Sequence, residues 1–320
     1  MAKPNVTAFF DNATNTITYV VACPQTGVCA VIDPVMDFDL VSGKLSTKGI
    51  GTIIEFMREN HYVCHWILET HIHADHITAA AYLREALQES SLQENTLPKD
   101  AIPNQQTAST KNPTPQNTAP QIGIAADIAT VYRTFSDVFN LDPNASLQNH
   151  FDQFLNDNDQ LPLGDLTIKV IATPGHTPAC LSFHIGDTVF VGDTIFMPDF
   201  GSARCDFPSG SATQLYHSIQ KLLALPDTTR MFVGHDYGTA NRNEIAWETT
   251  VAAQRASNIH IAGKSLDEFV QARETRDAEL GLPKLMYPAI NLNLGAGKLP
   301  EAEQNGRHYL KIPIRISEER

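Results

Sequence analysis

Seven residues, Thr70-His71-Ile72-His73-Ala74-Asp75-His76, follow directly on the apolar run at residues 63–68, and they constrain this chain more than any other feature. Three histidines and an aspartate within six positions bring four metal-ligating or proton-transfer groups to one point. In an extended exit from a strand, His71 and His73 point to the same side. The chain then turns into a helix and presents Asp75 and His76 from another angle. One short segment can therefore serve two adjacent metal positions, and the fold must bring further ligands to meet it.

Such groups recur downstream, each just after an apolar β-run: His176 in Thr173-Pro174-Gly175-His176-Thr177-Pro178, Asp193 in Val191-Gly192-Asp193-Thr194, and His235 in Val233-Gly234-His235-Asp236-Tyr237. Taken singly, a Gly-His or Gly-Asp pair after a strand is ordinarily a turn. As a set they gather five of the chain's twelve histidines into one pattern.

The organisation of the chain supports a layered α/β fold. Residues 6–10, 17–22 and 28–32 read as strands, and Ile50, Ile53, Ile54 and Met57 recur at helical spacing through residues 47–60. A strand at 63–68 and a helix at 77–87 follow. Residues 88–121 are rich in Gln, Asn, Pro, Thr and Ser and contain no aromatic side chain. Such a segment buries too little apolar surface to offset its ordering entropy, so an exposed, mobile insertion is expected there. Beyond it we expect a helix at 128–139, a strand at 166–172, and a hairpin at 181–191 turning on Gly186-Asp187. A helix at 212–224 and a strand at 231–233 come next. The tail from 244 to 280 has a helical pattern, and residues 281–300 are punctuated by Pro and Gly. Two strand-rich halves with accompanying helices imply two sheets face to face, helices outside, and a small helical cap.

Composition removes several function classes. With 36 acidic against 23 basic residues the formal charge is −13, which disfavours binding to a nucleic-acid backbone. Anionic ligands would need a local positive centre. No stretch approaches the 18 or more apolar residues of a membrane span, and residues 1–6 do not lead into a signal-type apolar run, so a cytoplasmic protein is expected. The five cysteines form no C-x-x-C, so neither a disulfide framework nor a zinc ribbon is indicated.

The set His71-x-His73-x-Asp75-His76, His176, Asp193 and His235 resembles the metallo-β-lactamase superfamily over about residues 6–237, the polar stretch excluded. That resemblance implies an α/β fold of αββα sandwich type with metal at the edge between the sheets, divided here into residues 1–240 and a C-terminal helical extension at 241–320. It implies His71, His73 and His176 as one potential metal site, Asp75, His76 and His235 as a second, and Asp193 as a bridge. Hydrolases of this kind hold two metals, typically zinc, and use the bridging hydroxide as nucleophile.

The flanking residues are similar instead to the persulfide dioxygenases, the group that includes the mitochondrial ETHE-type sulfur dioxygenases. The segments concerned are Asp33-Pro34-Val35-Met36-Asp37-Phe38-Asp39, Leu68-Glu69-Thr70, Gly192-Asp193-Thr194-Ile195-Phe196 and Ala203-Arg204-Cys205-Asp206-Phe207. This resemblance implies one Fe(II) per chain held by His71, His176 and Asp193, a 2-His-1-carboxylate triad that carries the catalysis. His73, Asp75, His76 and His235 then orient ligands and waters or hold a second metal. The implied reaction oxidises glutathione persulfide with O2 and water to sulfite and glutathione. Arg204 is expected to receive a substrate carboxylate and Tyr237 to contact the tripeptide. Where the mitochondrial branch has Asn-Pro-Arg, this chain has Asn258-Ile259-His260, with His260 as a substitute in the carboxylate clamp. The alternative is a two-zinc glyoxalase II-like hydroxyacylglutathione thioesterase. A third reading is a persulfide- or metal-sensing protein without turnover. Expected partners are small molecules, with neither nucleic acid nor membrane, and a homodimer is left open.

Overall fold

The computed structural model describes residues 3–96, 119–314 and 316. Most of the expected polar insertion, residues 97–118, lies outside them. The chain opens with antiparallel strands β1 (Asn5–Asp11), β2 (Thr16–Ala22) and β3 (Val28–Ile32). A small hairpin follows, β4 (Val35–Asp39) and β5 (Lys44–Ser46), and then helix α1 (Lys48–Glu59). The helix buries Ile50, Ile53 and Met57, the stripe that its spacing predicts. It returns the chain to β6 (Val63–Leu68), which pairs parallel with β3.

The helix expected from residue 77 begins later. Ile77 and Thr78 are β-branched and form a two-residue strand, β7 (Ile77–Thr78), against β4. Helix α2 (Ala80–Thr96) then starts, and it runs into the stretch expected to be a loop. After the undescribed residues come β8 (Gln121–Ala125), α3 (Ile128–Phe139) and β9 (Gln153–Leu155). The order in the first sheet is β1-β2-β3-β6-β8-β9.

The second sheet is built from β10 (Gln160–Leu163), β11 (Leu166–Ala172), β12 (Leu181–Ile185) and β13 (Thr188–Phe190), all joined antiparallel. Helix α4 (Ala212–Leu223) crosses over to β14 (Arg230–Phe232), which lies parallel to β13. Residues past 240 first add an edge strand, β15 (Glu248–Thr250), which sequence reading placed inside a helical tail. Its Glu-Thr-Thr sequence carries no apolar alternation, so only pairing with β14 reveals it. Helices α5 (Val251–Ser257), α6 (Leu266–Asp277) and α7 (Met286–Asn293) complete the fold. Helix α7 lies within the Pro- and Gly-punctuated segment, and Met286, Ala289, Ile290 and Leu292 bury it in the first core.

Period-two alternation divides the second sheet between two cores. Ile168, Val170, Phe190 and Phe232 face the first sheet and join Ile17, Tyr19 and Ile32. Their neighbours Ile171, Val189, Met231 and Val233 face outward, against Leu215, Ile219 and Leu222 of α4 and Phe269 of α6. The molecule is thus an αββα sandwich. Phe190 and Phe232 stack at 5.0 Å between ring centroids, with Tyr19 against both. Tyr19 donates its hydroxyl to the Val233 carbonyl at 2.6 Å, tying the sheets together beside the loop that carries His235. Phe232→Ala would empty this junction. We expect a loss of about 3–5 kcal/mol in urea unfolding, and a loss below about 1 kcal/mol would show that the sheets are held together elsewhere.

Candidate metal centre

Every predicted metal-site residue lies on a loop leaving a strand at one edge of the sandwich. Residues 70–76 leave β6, His176 lies between β11 and β12, Asp193 follows β13, and His235 follows β14. Backbone bonds stitch the two sheets together at this edge. Leu181 N–H donates to the Thr70 carbonyl at 2.8 Å and Ile17 N–H to the Gly234 carbonyl at 2.9 Å. Gly192 permits that approach, and Gly175 lets the His176 loop pack on α4. Gly192 has φ +48°, and a Cβ there would lie 2.5 Å from Thr70 Oγ1; Gly175 has φ +146°, and a Cβ there would strike the Leu215 backbone at 2.4 Å.

The loops bring His71, His176 and Asp193 into one group, with ligand atoms all within 4.8 Å of one another. Asp193 Oδ2 lies 4.0 Å from His71 Nε2 and 3.8 Å from His176 Nε2. The other ring nitrogens are already engaged: His71 Nδ1 lies 3.0 Å from Thr70 Oγ1, and His176 Nδ1 donates to the Arg204 carbonyl at 2.7 Å. That carbonyl fixes the His176 tautomer and leaves Nε2 with its lone pair toward the group. Burial, reinforced by the His73 and His176 rings, holds His71 well below the usual histidine range, so it is neutral as a ligand must be.

A second group, His73, Asp75 and His76, adjoins the first. His235 joins the two, its Nε2 lying 3.2 Å from Asp75 Oδ2 and 3.4 Å from Asp193 Oδ1. Among the described residues, His73 Nδ1 and His76 Nε2 are buried without a hydrogen-bond partner, and Asp75 Oδ2 and Asp193 Oδ1 have only their ion-pair contact with His235. Orphaned polar atoms cost free energy unless something satisfies them, and a cation suits this donor set. The shifted groups agree. Burial would lower His73, yet Asp33 and Glu69 raise it well above its ordinary range, favouring positive charge that a metal at Nδ1 would supply. Burial opposes ionisation of Asp75, but His235 and His76 hold it well below the usual carboxylate range.

In the sequence Asp33 and Glu69 stand out only as residues flanking the metal motif; the structure gives them contacts. Asp33 accepts from Thr70 N–H at 2.7 Å and Thr70 Oγ1 at 2.8 Å, and lies 3.1 Å from His73 Nε2. Glu69 Oε2 is 3.3 Å from the same His73 nitrogen, and Thr78 Oγ1 donates to Glu69 Oε1. Asn293 gave no sequence signal at all. Its Nδ2 donates to the carbonyls of His73 and His76, both at 2.8 Å, and its Oδ1 accepts from Thr78 N–H at 2.9 Å. Arg242 was likewise unmarked: it bonds both Asp236 oxygens and both Asp199 oxygens, which fastens the loop bearing His235 and Tyr237.

A cavity of about 670 Å³ opens onto the first group, within the usual range for ligand pockets. His176 and Asp193 form its inner end, and Arg204, Tyr237 and His260 are among its walls. Tyr237 stacks on His235 at 5.6 Å with the rings 12° from parallel. Partial desolvation of this half-exposed ring, with Asp75 and Asp193, raises its phenol above the ordinary value, so it remains a donor at neutral pH. The Arg204 guanidinium bonds both Asp206 oxygens and donates to the Gly281 carbonyl at 2.8 Å. Its charge is thus already partnered. His260 Nδ1 accepts from Ser202 N–H at 2.9 Å, and burial, then Arg273 and Arg276, lowers this ring to about 4.

Two sheets with ligand-bearing loops along one edge and a cavity over them define a metal-dependent enzyme class. The chain belongs to the metallo-beta-lactamase superfamily, whose model matches residues 13–235. It is 40% identical over 317 residues, 99% of its length, to a beta-lactamase hydrolase-like protein of Agrobacterium fabrum, of which it spans only 66%. It is 41% identical over 315 residues to glyoxylase B2 of Dictyostelium discoideum, covering 98% of this chain and 97% of that one. It is also similar to two ETHE1 proteins. One is the mitochondrial persulfide dioxygenase ETHE1 of Bos taurus, 32% identical over 136 residues, 42% of this chain and 48% of that one. The other is the crystal structure of ETHE1 from Myxococcus xanthus, with a TM-score of 0.66 and 26% identity over 92% of this chain and all of that one. Among the described residues no helix is long and apolar enough to cross a membrane.

Asn293→Ala would leave two carbonyls and one N–H buried without partners. We expect it to cost about 3 kcal/mol or more and to weaken metal retention; unfolding and metal analysis that match the wild type would show the loop is held by other contacts. His260 yields a pH prediction. Because its folded-state value lies below the unfolded 6.5, the unfolded chain takes up the proton first, and stability falls as pH drops from 6.5 toward about 4. His260→Gln should flatten that limb of a Tm-against-pH curve, and a parallel curve would refute the assignment.

Proposed function

We propose that the chain is an iron-dependent persulfide dioxygenase that converts glutathione persulfide, O2 and water into sulfite and glutathione. The observation that carries this reading is the convergence of His71, His176 and Asp193 into one ligand group, of which His176 and Asp193 line the cavity, beside the likeness to ETHE1. These three residues would hold the metal on one face and leave the cavity side open. Fe(II) bound there would supply the electron transfer to O2 that zinc cannot.

The chain's own groups do the rest. Thr70 and the Arg204 carbonyl fix the two histidine rings, and the apolar walls, Phe196 and Phe207 among them, limit water around the outer sulfur. The Tyr237 phenol keeps its proton and offers a hydrogen bond to the bound tripeptide. His73, Asp75, His76 and His235 orient the ligand loops and waters. The catalytic unit in this proposal is residues 1–240. The extension at 241–320 completes the outer cavity wall, and Asn293 within it braces the histidine loop.

A second reading has a specific observation behind it. The orphaned His73, Asp75 and His76 atoms form a second ligand group joined to the first through His235 and Asp193, a layout fit for two zinc ions. Together with the likeness to glyoxylase B2, this favours hydrolysis of an acylglutathione.

Metal content and oxygen uptake decide between them. One iron per chain and rapid O2 consumption on adding glutathione persulfide are expected. Two zincs with thioester hydrolysis and no O2 uptake would overturn the dioxygenase reading. Asp193→Ala should lose the iron while the fold, followed by circular dichroism, persists; full iron and activity in that variant would refute the triad.

A further inference from the structure

Four cationic side chains and one histidine reach the cavity that opens onto His176 and Asp193: Arg204, Arg273, Arg276, Lys284 and His260. They differ in what already satisfies them. Arg204 is held bidentately by Asp206 and by the Gly281 carbonyl. Arg273 is buried, with Nε and Nη2 both on Asp277 Oδ1 at 3.0 and 2.6 Å and Nη1 on the Ser202 carbonyl at 3.1 Å. Asp277 also accepts Cys205 N–H at 2.7 Å, so that pair is a structural brace. His260 accepts from an amide N–H at Nδ1, which places its own proton on Nε2 and leaves the ring neutral.

Arg276, on α6, and Lys284, on the link to α7, remain. Both are exposed at the cavity, and among the described residues neither has a carboxylate within ion-pair distance. On a chain of net charge −13, unneutralised cations at the mouth of a cavity make a local positive field.

We propose that Arg276 and Lys284 are the carboxylate-receiving residues of this site, one for each carboxylate of a glutathione-type substrate. The pair rests on the glutathione reading above and shifts the clamp from the Arg204 and His260 positions to the C-terminal helices. The division of labour is physical. The Arg204 charge is already neutralised by Asp206, whereas Arg276 and Lys284 give up only water on meeting a ligand carboxylate. Arg276 offers a planar fork and Lys284 a point charge, so the Arg276 position should be the more selective of the two. His260, neutral on the same cavity wall, contributes an N–H donor and no charge. The specificity that results is for a thiol carrying negative groups remote from its sulfur.

The test uses S-methylglutathione, which has both carboxylates and no reactive sulfur, so binding is read apart from turnover. Titration calorimetry on the wild type should show binding. Arg276→Gln with Lys284→Gln should weaken it about tenfold or more. Arg276→Lys should keep part of the affinity. The diethyl ester of S-methylglutathione should bind the wild type no better than the acid binds the double variant, a comparison that needs no variant to fold. A double variant within about twofold of the wild type would overturn the subsite while leaving the glutathione reading in place. A wild type that fails to bind S-methylglutathione at all would overturn the glutathione reading and the subsite with it.

Discussion

A buried carboxylate holds the site together. Asp33 leaves β3 in a left-handed backbone conformation, φ +49°, and is 3% exposed. An ionised carboxylate in such a place is costly unless it is fully satisfied. Burial would raise its pKa, but His73 and Thr70 together hold it below the ordinary carboxylate value. Its oxygens therefore lock the first residues of the histidine loop in the one arrangement that satisfies them. His73 is then fixed at Nε2 and turned so that Nδ1 faces its neighbours, and His71, beside Thr70, follows. The loop positions that could bind a metal are set by a residue that would not touch it.

The remaining ligands reach that loop because the two sheets meet there. His176, Asp193 and His235 come from three different connections of the second sheet, and each is placed by a contact across the sandwich or to a neighbouring loop. The Arg204 carbonyl sets the His176 ring, close packing of Gly192 on Thr70 brings in Asp193, and the Tyr19 and Ile17 bonds hold the strand end before His235. Two adjacent groups of ligand atoms result, joined through the contacts of His235 with Asp75 and Asp193. This layout is why the one-metal and two-metal readings proposed above both find ligands here, and why the metal itself is the discriminating observation.

Charge is segregated around the cavity. The inner end is histidine and carboxylate; the outer wall is basic, contributed by α6 and the residues after it. Arg204 and Arg273 are braced internally by Asp206 and Asp277, which leaves Arg276 and Lys284 as the place where an anionic ligand can gain most. The C-terminal helices therefore act twice, through Asn293 on the histidine loop and through the cationic rim.

Much of the candidate site was legible in the sequence because metal chemistry needs few residue types at short spacing. His71, His73, Asp75 and His76 are neighbours along the chain, and His176, Asp193 and His235 each follow a glycine at the end of an apolar strand. The strands at residues 28–32, 63–68 and 166–172 and the helix at 128–139 were equally legible, since each buries a continuous face whose period appears in its own residues. Pairings with distant partners were not. β7 and β15 are too short and too polar to show a pattern, and α7 is helical because its apolar face is covered by the first core. Asn293 lies 220 positions from the carbonyl of His73 that it holds, and nothing local to it signals that contact. The sequence by itself determined which atoms can bind a metal and on which loops they ride, because ligand identity and strand periodicity are local properties. Only the tertiary structure decided which side chains brace those loops and which cations are left unpaired, because both depend on groups brought together from the two ends of the chain.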